Sequence, residues 1–300
     1  MSKLSNRELL KTKQTFIQQI RQYFIEHGSV EVFTNHFSNS AGTDPHIEPF
    51  VTTKGNLFLH TSPEFAMKKL LAKGSGDIFQ ICQVYRNDII GKWHKQEFQM
   101  LEWYRVGWSL KELIQESIDL VQLIYGKCET TFISTREACQ KFANWDPWQP
   151  DALLAAKKQW PQGPGGDCLA TWFDYVTIEH IEPNIGNKDL VVLFDFPTTH
   201  AALAKISKEN KLHVAKRFEL YLHGIELANG FAELNDPAEQ AKRFAQDLAK
   251  RAELKLPCWP IDQDFINALT TLPDCCGVAL GIDRLFAIKH NQNLLETKNQ

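Results

Sequence analysis

IFQICQVYRND (residues 78–88) and KQEFQMLEWYR (residues 95–105) are the most informative segments of this sequence. Both are apolar and rich in residues that favour strands, and the connection between them contains Gly91. This pattern predicts two antiparallel strands joined by a loop.

Side chains on the predicted hairpin should sort by face, because they alternate along a strand. Arg86 and Asp88 then share one face, and Phe98, Glu102 and Tyr104 share one face of the return strand. A cation, an aromatic ring, a carboxylate and a phenol would lie in a row. This arrangement suits a nucleotide phosphate, its base and an amine.

Composition indicates an ordinary globular protein. The 300 residues are 43% hydrophobic and 23% charged, and a chain of this length forms one large domain or two small ones. The formal net charge of −3 gives no chain-wide basic field that would attract polyanions. A local basic patch is still compatible with it.

Cysteine usage and hydropathy suggest a cytoplasmic protein. The seven cysteines form no CxxC pair, and the vicinal Cys275-Cys276 fits no disulfide framework, so reduced thiols are expected. The N-terminal residues lack the apolar core of a signal peptide. No uninterrupted apolar run reaches about 18 residues, so no membrane span is expected.

Several helices are indicated by capping residues followed by apolar side chains at helical spacing. Ser5 with Glu8 begins one, and Asp236-Pro237-Ala238-Glu239 begins another. Ser62-Pro63-Glu64 predicts a short helix with Ser62 as its cap. The helix after Ser5 is predicted over residues 6–27 and the helix after Asp236 over residues 237–254. Other helices are predicted over residues 109–126 and 168–181, and from about residue 283.

Strands are predicted between and after these helices. They cover residues 30–60 (interrupted by glycine and prolines), 189–196, 216–234 and 277–281. Residues 144–167, rich in Pro, Gly and Trp, are predicted to be an insertion or a loop. Antiparallel strands with helices at both ends predict an α+β fold, as a single domain over residues 1–300.

Arg86 and Phe98 each have a structural as well as a functional interpretation. An arginine on a strand is usually a surface residue, and an isolated phenylalanine is more often part of the core. With Asp88 and His94 at these spacings, phosphate binding by the guanidinium fork of Arg86 becomes the better interpretation.

Glu102 and Tyr104 project together because they are two residues apart. They could be an acid and an aromatic on an exposed face. They could also form a pocket for a cation, since a buried carboxylate needs a partner and a ligand ammonium would supply one. Glu64 in a first helical turn has a simple explanation of its own, the helix dipole.

Glu226 and Glu233 bracket the segment ELANGFAE. Seven residues is an odd step, so a regular strand would place the two carboxylates on opposite faces. They converge only if Asn229-Gly230 forms a bend or bulge, which that dipeptide favours. The pair could then hold Mg²⁺ together with substrate phosphates, although such glutamates are often only surface charges.

GVALGIDR (residues 277–284) is a strand of small residues that runs into a helix. Small residues allow close packing of strand against helix. They also allow a ligand to lie against the backbone, with Arg284 at the rim.

Together these motifs resemble the catalytic domain of class II aminoacyl-tRNA synthetases, specifically the lysyl enzymes, over roughly residues 15–290. YRND…HKQEF is similar to the second signature motif of that family, and GVALGIDR is similar to the third. ELANGFAELNDP (residues 226–237) is similar to the signature of the lysyl subgroup.

The resemblance implies roles for individual residues. Arg86 and Arg284 would be catalytic, with Arg86 on the ATP α-phosphate and Arg284 stacking on adenine opposite Phe98. The implied ATP-binding set is Arg86, Asn87, Asp88, His94, Lys95, Phe98, Glu226, Leu227, Gly281 and Arg284. The implied amino-acid-binding set is Ser62, Pro63, Glu64, Glu102, Tyr104, Asn229, Phe231, Glu233 and Ala279. Glu226 and Glu233 would hold Mg²⁺.

Within the amino-acid-binding set, the resemblance assigns the two amines to different carboxylates. Glu64 would bind the amino group beside the reacting carboxylate, and Glu102 with Tyr104 would bind the distal ammonium. The family also implies a homodimer.

The sequence departs from the family pattern at several positions. Phe33 and Asn35 replace an acid and a proline of the first motif, which bears on the dimer interface. Asp88 replaces the usual glutamate, and Lys95-Gln96 replaces a usual Asn-Pro.

No anticodon-binding domain is expected in this chain, which resembles the stand-alone lysyl paralogues, the elongation factor P–(R)-β-lysine ligases. That resemblance implies adenylation of β-lysine and its transfer to a lysine of elongation factor P, with no tRNA. Ala279 occupies a position where lysyl enzymes have glycine. The extra methyl should cost about 1–3 kcal/mol in a close-packed pocket, and we expect it to disfavour an α-amino group.

Other functions fit the same motifs. A free-standing amide synthetase of the lysine or asparagine type, direct charging of tRNA, and a non-catalytic synthetase paralogue all remain open. The presence of both arginines and both glutamates argues against a decayed site.

Overall fold

The computed structural model describes residues 5–53, 57–187, 189–209, 211–292 and 294. Its strands are β1 (Val30–Glu31), β2 (Phe37–Ser38), β3 (Phe58–Leu59), β4 (Ile78–Tyr85), β5 (Glu97–Val106), β6 (Thr130–Ser134), β7 (Leu190–Pro197), β8 (Ile206–Glu209), β9 (Leu212–Leu222), β10 (Ile225–Ala232) and β11 (Cys275–Gly281). Its α-helices are α1 (Asn6–Glu26), α2 (Glu64–Ala72), α3 (Leu110–Tyr125), α4 (Thr135–Ala143), α5 (Ala152–Gln159), α6 (Leu169–Val176), α7 (Pro237–Glu253), α8 (Gln263–Ala268) and α9 (Ile282–Lys289).

The chain forms two compact units. The first unit contains Met1–Gly126 and Leu234–Gln300, and the second unit contains Lys127–Glu233. Both combine antiparallel pairing with helices, and this agrees with the α+β prediction. The described part of the chain has no helix that is both long and apolar enough to cross a membrane.

The sheet of the first unit has the order β1-β4-β5-β11; β5 is antiparallel to both β4 and β11, and β1 is parallel to β4. One face is covered by α1, whose Phe24 ring stacks on Phe79 at 4.9 Å between centroids and also contacts Trp103. Because side chains alternate, the residues beside Phe79 and Trp103 in sequence face the other way.

Arg105 anchors the covered face of β5. Its guanidinium is buried, bonds both carboxylate oxygens of Glu116 on α3, and donates to Ser29 Oγ at 2.7 Å and Asp77 Oδ2 at 3.1 Å. Glu116 also accepts from the Trp103 indole at 2.9 Å. A buried ion pair this well hydrogen-bonded fixes β5 against α3.

The sheet of the second unit has the order β10-β9-β7-β6, with β8 on β9. β9 and β10 form a hairpin whose turn is His223-Gly224, and both turn residues have positive φ, 53° and 70°. Helices α4, α5 and α6 enclose a core that contains Trp145, Trp172 and Phe173.

The capping predictions for Ser5 and Asp236 are confirmed. Ser5 and Glu8 form a reciprocal capping box, and Asp236 accepts from the Ala238 and Glu239 amides at 2.9 and 3.1 Å. The hairpin of residues 78–105 is also confirmed, with its strands ending at Tyr85 and beginning at Glu97.

The structure refines one regional prediction and corrects another. Residues 30–60 were predicted as strands interrupted by glycine and prolines, and in the described part of this range the strands β1, β2 and β3 are each just two residues long. Residues 144–167 are not a continuous loop. They contain α5, and the Trp145 indole donates to the Ala152 carbonyl at 2.9 Å.

Candidate active site

Glu102 lies on the face of β5 that points away from α1. It is 2% exposed, and its carboxylate accepts hydrogen bonds from Ser62 Oγ on one oxygen and from the Tyr104 hydroxyl on the other, at 3.2 Å. Burial raises the pKa of Glu102 to about 8, and the nearby Glu64 carboxylate adds to this, while Ser62, Tyr104 and Lys68 oppose it. This carboxylate is therefore set to accept a proton or a cation.

Ser62 does not cap α2, in contrast to the prediction. The N-cap is Pro63 and the helix begins at Glu64. The Ser62 hydroxyl instead accepts from the Glu64 amide at 3.0 Å and donates to Glu102, so it joins the turn to the sheet. The same turn places Glu64 so that Lys68 Nζ lies 2.6 Å from Glu64 Oε1.

Ala279 and Gln80 are the cross-strand neighbours of Glu102. In the register, Ala279 on β11 and Gln80 on β4 lie directly opposite Glu102, one on each side. Gly277 lies opposite Tyr104, so small side chains line this part of β11. Facing residues on paired strands have β-carbons about 4.5–5.5 Å apart, which places the Ala279 methyl against the Glu102 side chain.

Phe98 and Ala279 pack on a small apolar cluster of Cys82, Val84 and Met100. This cluster forms a floor between the Glu102 end and the Arg86 end of the face. Burial, with the Glu102 charge, raises the pKa of the Cys82 thiol to about 12, so it is not a reactive thiolate.

Arg86 continues the strand pairing beyond β4. Its amide donates to the Gln96 carbonyl at 2.9 Å, which keeps Arg86 on the face that also carries Phe98. The guanidinium carbon lies 5.3 Å from the centre of the Phe98 ring, and Nε donates to the Thr61 carbonyl at 3.3 Å. The cation and the aromatic ring predicted from the hairpin are therefore adjacent.

The connection between β4 and β5 is held at several points. The Asn87 amide donates to the Glu48 carbonyl at 2.7 Å, the Gln96 amide group donates to the Asp88 carbonyl at 3.4 Å, and Gly91 bridges His94. Lys95 follows directly and is partly buried.

Arg284 reaches this connection from α9, because its Nε donates to the Trp93 carbonyl at 3.1 Å. A β-carbon at Gly281 would lie 3.5 Å from Cδ of Arg284, so glycine leaves the arginine stem close to the backbone. Asp283 accepts from the Gln99 amide at 3.0 Å and ties α9 to β5. Its role was not predicted, although its place inside the GVALGIDR motif could have suggested it.

The second unit carries Glu226, and the register of β10 departs from the prediction there. The register shifts between Glu226 and Ala228, so the bulge lies at Leu227 and not at Asn229-Gly230. Asn229 stays in the ladder because its side chain accepts a hydrogen bond from Arg217 Nε at 3.1 Å on the neighbouring strand.

This bulge adds one residue to β10, so the side chains on its two sides point to opposite faces from those expected for a regular strand. Glu226 lies opposite Tyr221, Asn229 opposite Glu219 and Phe231 opposite Arg217, so these residues share one face. Glu233, two residues beyond Phe231, follows the same alternation. One extra residue thus brings both predicted magnesium carboxylates to the same side of β10.

Arg217 and Glu219 are site residues that sequence reasoning missed. The guanidinium carbon of Arg217 lies 4.4 Å from the centre of the Phe196 ring, and the guanidinium forms an ion pair with Glu219. The Glu219 carboxylate also accepts a hydrogen bond from the Tyr221 hydroxyl at 2.7 Å. Burial raises the pKa of Glu219. Their two-residue spacing along β9 is the signal that could have indicated a shared face.

The two units therefore divide the predicted site residues. The first unit brings together the residues of the Glu102 pocket and of the Arg86 end. These are Ser62, Pro63, Glu64, Arg86, Asn87, Asp88, His94, Lys95, Phe98, Glu102, Tyr104, Ala279, Gly281 and Arg284. The second unit carries Glu226, Leu227, Asn229, Phe231 and Glu233.

Comparison with known families gives one extended match. The profile of the family described as tRNA synthetases class II (D, K and N) matches residues 1–296.

Comparison with curated proteins gives relatives of similar length. The chain is 41% identical to the elongation factor P–(R)-β-lysine ligase of Pasteurella multocida, covering 96% of this chain and 93% of that protein. It is 41% identical to the ligase of the same name from Avibacterium paragallinarum, with 94% and 91% covered. It is 42% identical to the one from Salmonella dublin, with 92% and 89% covered.

Proposed function

The chain belongs to the class II tRNA synthetase family (D, K and N), and on that basis we propose that it is an ATP-dependent ligase that attaches (R)-β-lysine to elongation factor P. The relatives carry this activity in their name, and the family uses ATP. The observation within this chain that supports the proposal best is the buried Glu102 carboxylate between two hydroxyl donors, with Ala279 beside it.

The Glu102 pocket suits the distal ammonium of a lysine-like substrate. An ammonium bound there would replace the proton that burial favours on the carboxylate, and the Tyr104 oxygen could accept a second hydrogen bond. Glu64 is suited to the amino group near the reacting carboxylate, because its own carboxylate is only partly buried and is held by Lys68. A substrate with two amines has a carboxylate partner for each.

In the first step the β-lysine carboxylate attacks the α-phosphorus of ATP, a new phosphorus–oxygen bond forms, and pyrophosphate leaves. The attacking carboxylate is already ionised, so no general base is needed. We assign Arg86 to the α-phosphate and Phe98 with Arg284 to the adenine. Positioning and charge neutralisation are then the main sources of rate acceleration.

Glu226 and Glu233 fit a magnesium site. The bulge at Leu227 puts both on one face of β10, and Mg²⁺ is commonly held by one or two carboxylates together with substrate phosphates. The described residues contain no cluster of three or more metal-ligating side chains, so the phosphates would complete the coordination. Bound Mg²⁺ would neutralise charge on the phosphates of ATP.

In the second step the amine of a lysine side chain on elongation factor P attacks the carbonyl carbon of the mixed anhydride. A carbon–nitrogen bond forms, the carbon–oxygen bond to the phosphate breaks, AMP leaves, and the amine loses a proton.

Four further predictions accompany this function: a homodimer, no use of tRNA, a cytoplasmic location, and a single catalytic domain over residues 1–300. The substitutions Phe33 and Asn35 in the first motif bear on the first of these.

Transfer assays test the proposal. Purified protein, ATP and (R)-β-lysine should increase the mass of elongation factor P by one β-lysyl group. Substitution of the modified lysine should abolish the increase, and bulk tRNA should remain uncharged. If tRNA became charged while elongation factor P stayed unmodified, direct aminoacylation of tRNA would be favoured. An aspartate-dependent reaction would favour an amide synthetase of the asparagine type.

A further inference from the structure

Lys68 is a buried cation in the first unit that pairs with Glu64 but has no assigned role of its own in substrate binding. Its side chain is 1% exposed, which is rare for lysine, and Nζ lies 2.6 Å from Glu64 Oε1, one helical turn earlier on α2. The ammonium also lies 6.0 Å from the centre of the Phe265 ring, which stacks on Phe65 at 4.2 Å. The Phe265 ring of α8 thus packs beside the Lys68 ammonium.

The Lys68–Glu64 pair is linked to Glu102 by hydrogen bonds. The Glu64 amide donates to Ser62 Oγ at 3.0 Å, and Ser62 Oγ donates to Glu102. A displacement of the Glu64 backbone at the start of α2 would therefore disturb the Ser62 donor of the ammonium pocket. On an exposed helix surface an i,i+4 ion pair contributes little to stability, but burial makes the removal of one partner far more consequential.

We propose that Lys68 is a positioning residue: it holds the Glu64 carboxylate in the orientation that receives the substrate amine, and its charge offsets the repulsion between the Glu64 and Glu102 carboxylates when Glu102 ionises to bind substrate. This inference rests on the proposed function, because it takes Glu64 and Glu102 as the two ammonium ligands.

The charge count around the pocket supports this role. Glu64 and Glu102 contribute two carboxylates and Lys68 one ammonium. β-Lysine brings two ammonium groups and one carboxylate. The liganded pocket, with Lys68 included, therefore has three positive and three negative charges and is neutral. Without Lys68 the negative charge of the two ionised carboxylates would be less compensated, and Glu102 would hold its proton more tightly against exchange for a substrate amine.

The charged and titratable groups that act on Glu102 within the first unit define the pH test. They are Glu64 and Lys68 on α2, Cys82 on β4 and Tyr104 on β5, and β11 presents only Ala279. Lys68 lowers the pKa of Glu102, so its removal should raise that pKa further. A change in helix stability alone would not move the pKa of Glu102.

The experiment compares Lys68→Met with Lys69→Met in ATP–pyrophosphate exchange driven by (R)-β-lysine. Lys69 is the matched control, because it lies on the same helix and makes an ion pair of the same length, 2.6 Å, with Asp262 outside the pocket. Lys68→Met should raise KM for (R)-β-lysine about 10- to 100-fold, as expected for a lost charge-assisted contact, and leave KM for ATP unchanged. The rise of kcat/KM with pH should move to higher pH. Lys69→Met should match the wild type.

Lys68→Arg distinguishes charge from placement. It keeps the positive charge, so the pH midpoint should stay where the wild type has it, while the longer side chain shifts Glu64 and raises KM. Thermal unfolding is measured for each variant, and if Lys68→Met does not fold, Lys68→Arg decides alone.

Three results would overturn or separate the proposals. A folded Lys68→Met, or a Lys68→Arg, with wild-type KM and wild-type pH midpoint would contradict the role of Lys68. Equal effects of Lys68→Met and Lys69→Met would reduce it to helix stability. Absence of exchange by the wild type with every lysine isomer would instead refute the proposed function.

Discussion

Ala279 lies directly across the ladder from Glu102, on the adjacent strand β11. The methyl group that distinguishes this chain from the lysyl pattern is therefore beside the carboxylate assigned to the distal ammonium. A substrate anchored at Glu102 must pass this methyl, and the position of its second amine relative to that anchor is what separates α-lysine from β-lysine.

Ala279→Gly should raise the use of α-lysine relative to (R)-β-lysine by on the order of tenfold, because removal of one methyl in a close-packed pocket is worth about 1–3 kcal/mol. Pyrophosphate exchange with both amino acids measures the ratio. Val278→Ala is the control: Val278 is buried on the opposite face of the same strand, so the variant should lose stability and keep the ratio. An unchanged ratio in Ala279→Gly would remove Ala279 from substrate selection.

Binding of β-lysine should release nearly one proton near pH 7. The pKa of Glu102 is raised to about 8, so the carboxyl group of the free protein is mostly protonated at pH 7 and must ionise to receive an ammonium. Consequently kcat/KM for β-lysine should increase as pH rises towards 8. Isothermal titration calorimetry in buffers of different ionisation enthalpy counts the protons, and Glu102→Gln should release none. Equal proton release by wild type and Glu102→Gln would contradict the assignment.

Arg86→Ala should abolish adenylate formation and leave the fold intact. The guanidinium is partly exposed, donates to the Thr61 carbonyl and lies over Phe98, and the β4–β5 strand pairing does not depend on this side chain. Pyrophosphate exchange and thermal unfolding give the two readouts. Arg7→Ala, which removes an exposed arginine from α1, should change neither. Retained exchange in Arg86→Ala would exclude the α-phosphate role.

Glu226→Gln and Glu233→Gln should each raise the Mg²⁺ concentration needed for half-maximal exchange several-fold, because each removes a charged oxygen ligand. Glu179→Gln, at an exposed position of the same unit, is the control. A magnesium dependence identical to that of the wild type in both variants would place the metal elsewhere.

Glu116→Gln should lower the free energy of unfolding by about 3–5 kcal/mol, because it leaves the buried Arg105 guanidinium without its main carboxylate partner. Urea denaturation measures the change. Glu112→Gln lies on the same helix but at an exposed capping position, and it should cost less than about 2 kcal/mol. Equal losses in the two variants would show that the Arg105 network contributes little.

Local rules predicted the hairpin and the helix ends well, because the decisive contacts are between residues close in sequence. Ser5 and Glu8 are three residues apart and cap α1 as the pattern requires. The strand faces followed from alternation alone, and the chain has Phe98, Glu102 and Ala279 on a common face.

Prediction failed where a distant partner competes with a local rule. Ser62 has the sequence of a helix cap, but its hydroxyl bonds Glu102, forty residues away, and the helix starts later. The bulge was expected at Asn229-Gly230, yet Arg217 keeps Asn229 in the ladder and Leu227 becomes the extra residue. No prediction was made for Lys68, because the neighbouring sequence does not reveal that α8 packs beside it.

The measurement that tests the whole account most directly is ATP–pyrophosphate exchange with (R)-β-lysine, (S)-β-lysine, α-lysine and aspartate, each supplied separately to the purified protein. The account predicts the highest kcat/KM with (R)-β-lysine, a lower value with α-lysine and none with aspartate. Exchange driven by aspartate, or no exchange with any lysine isomer, would contradict it.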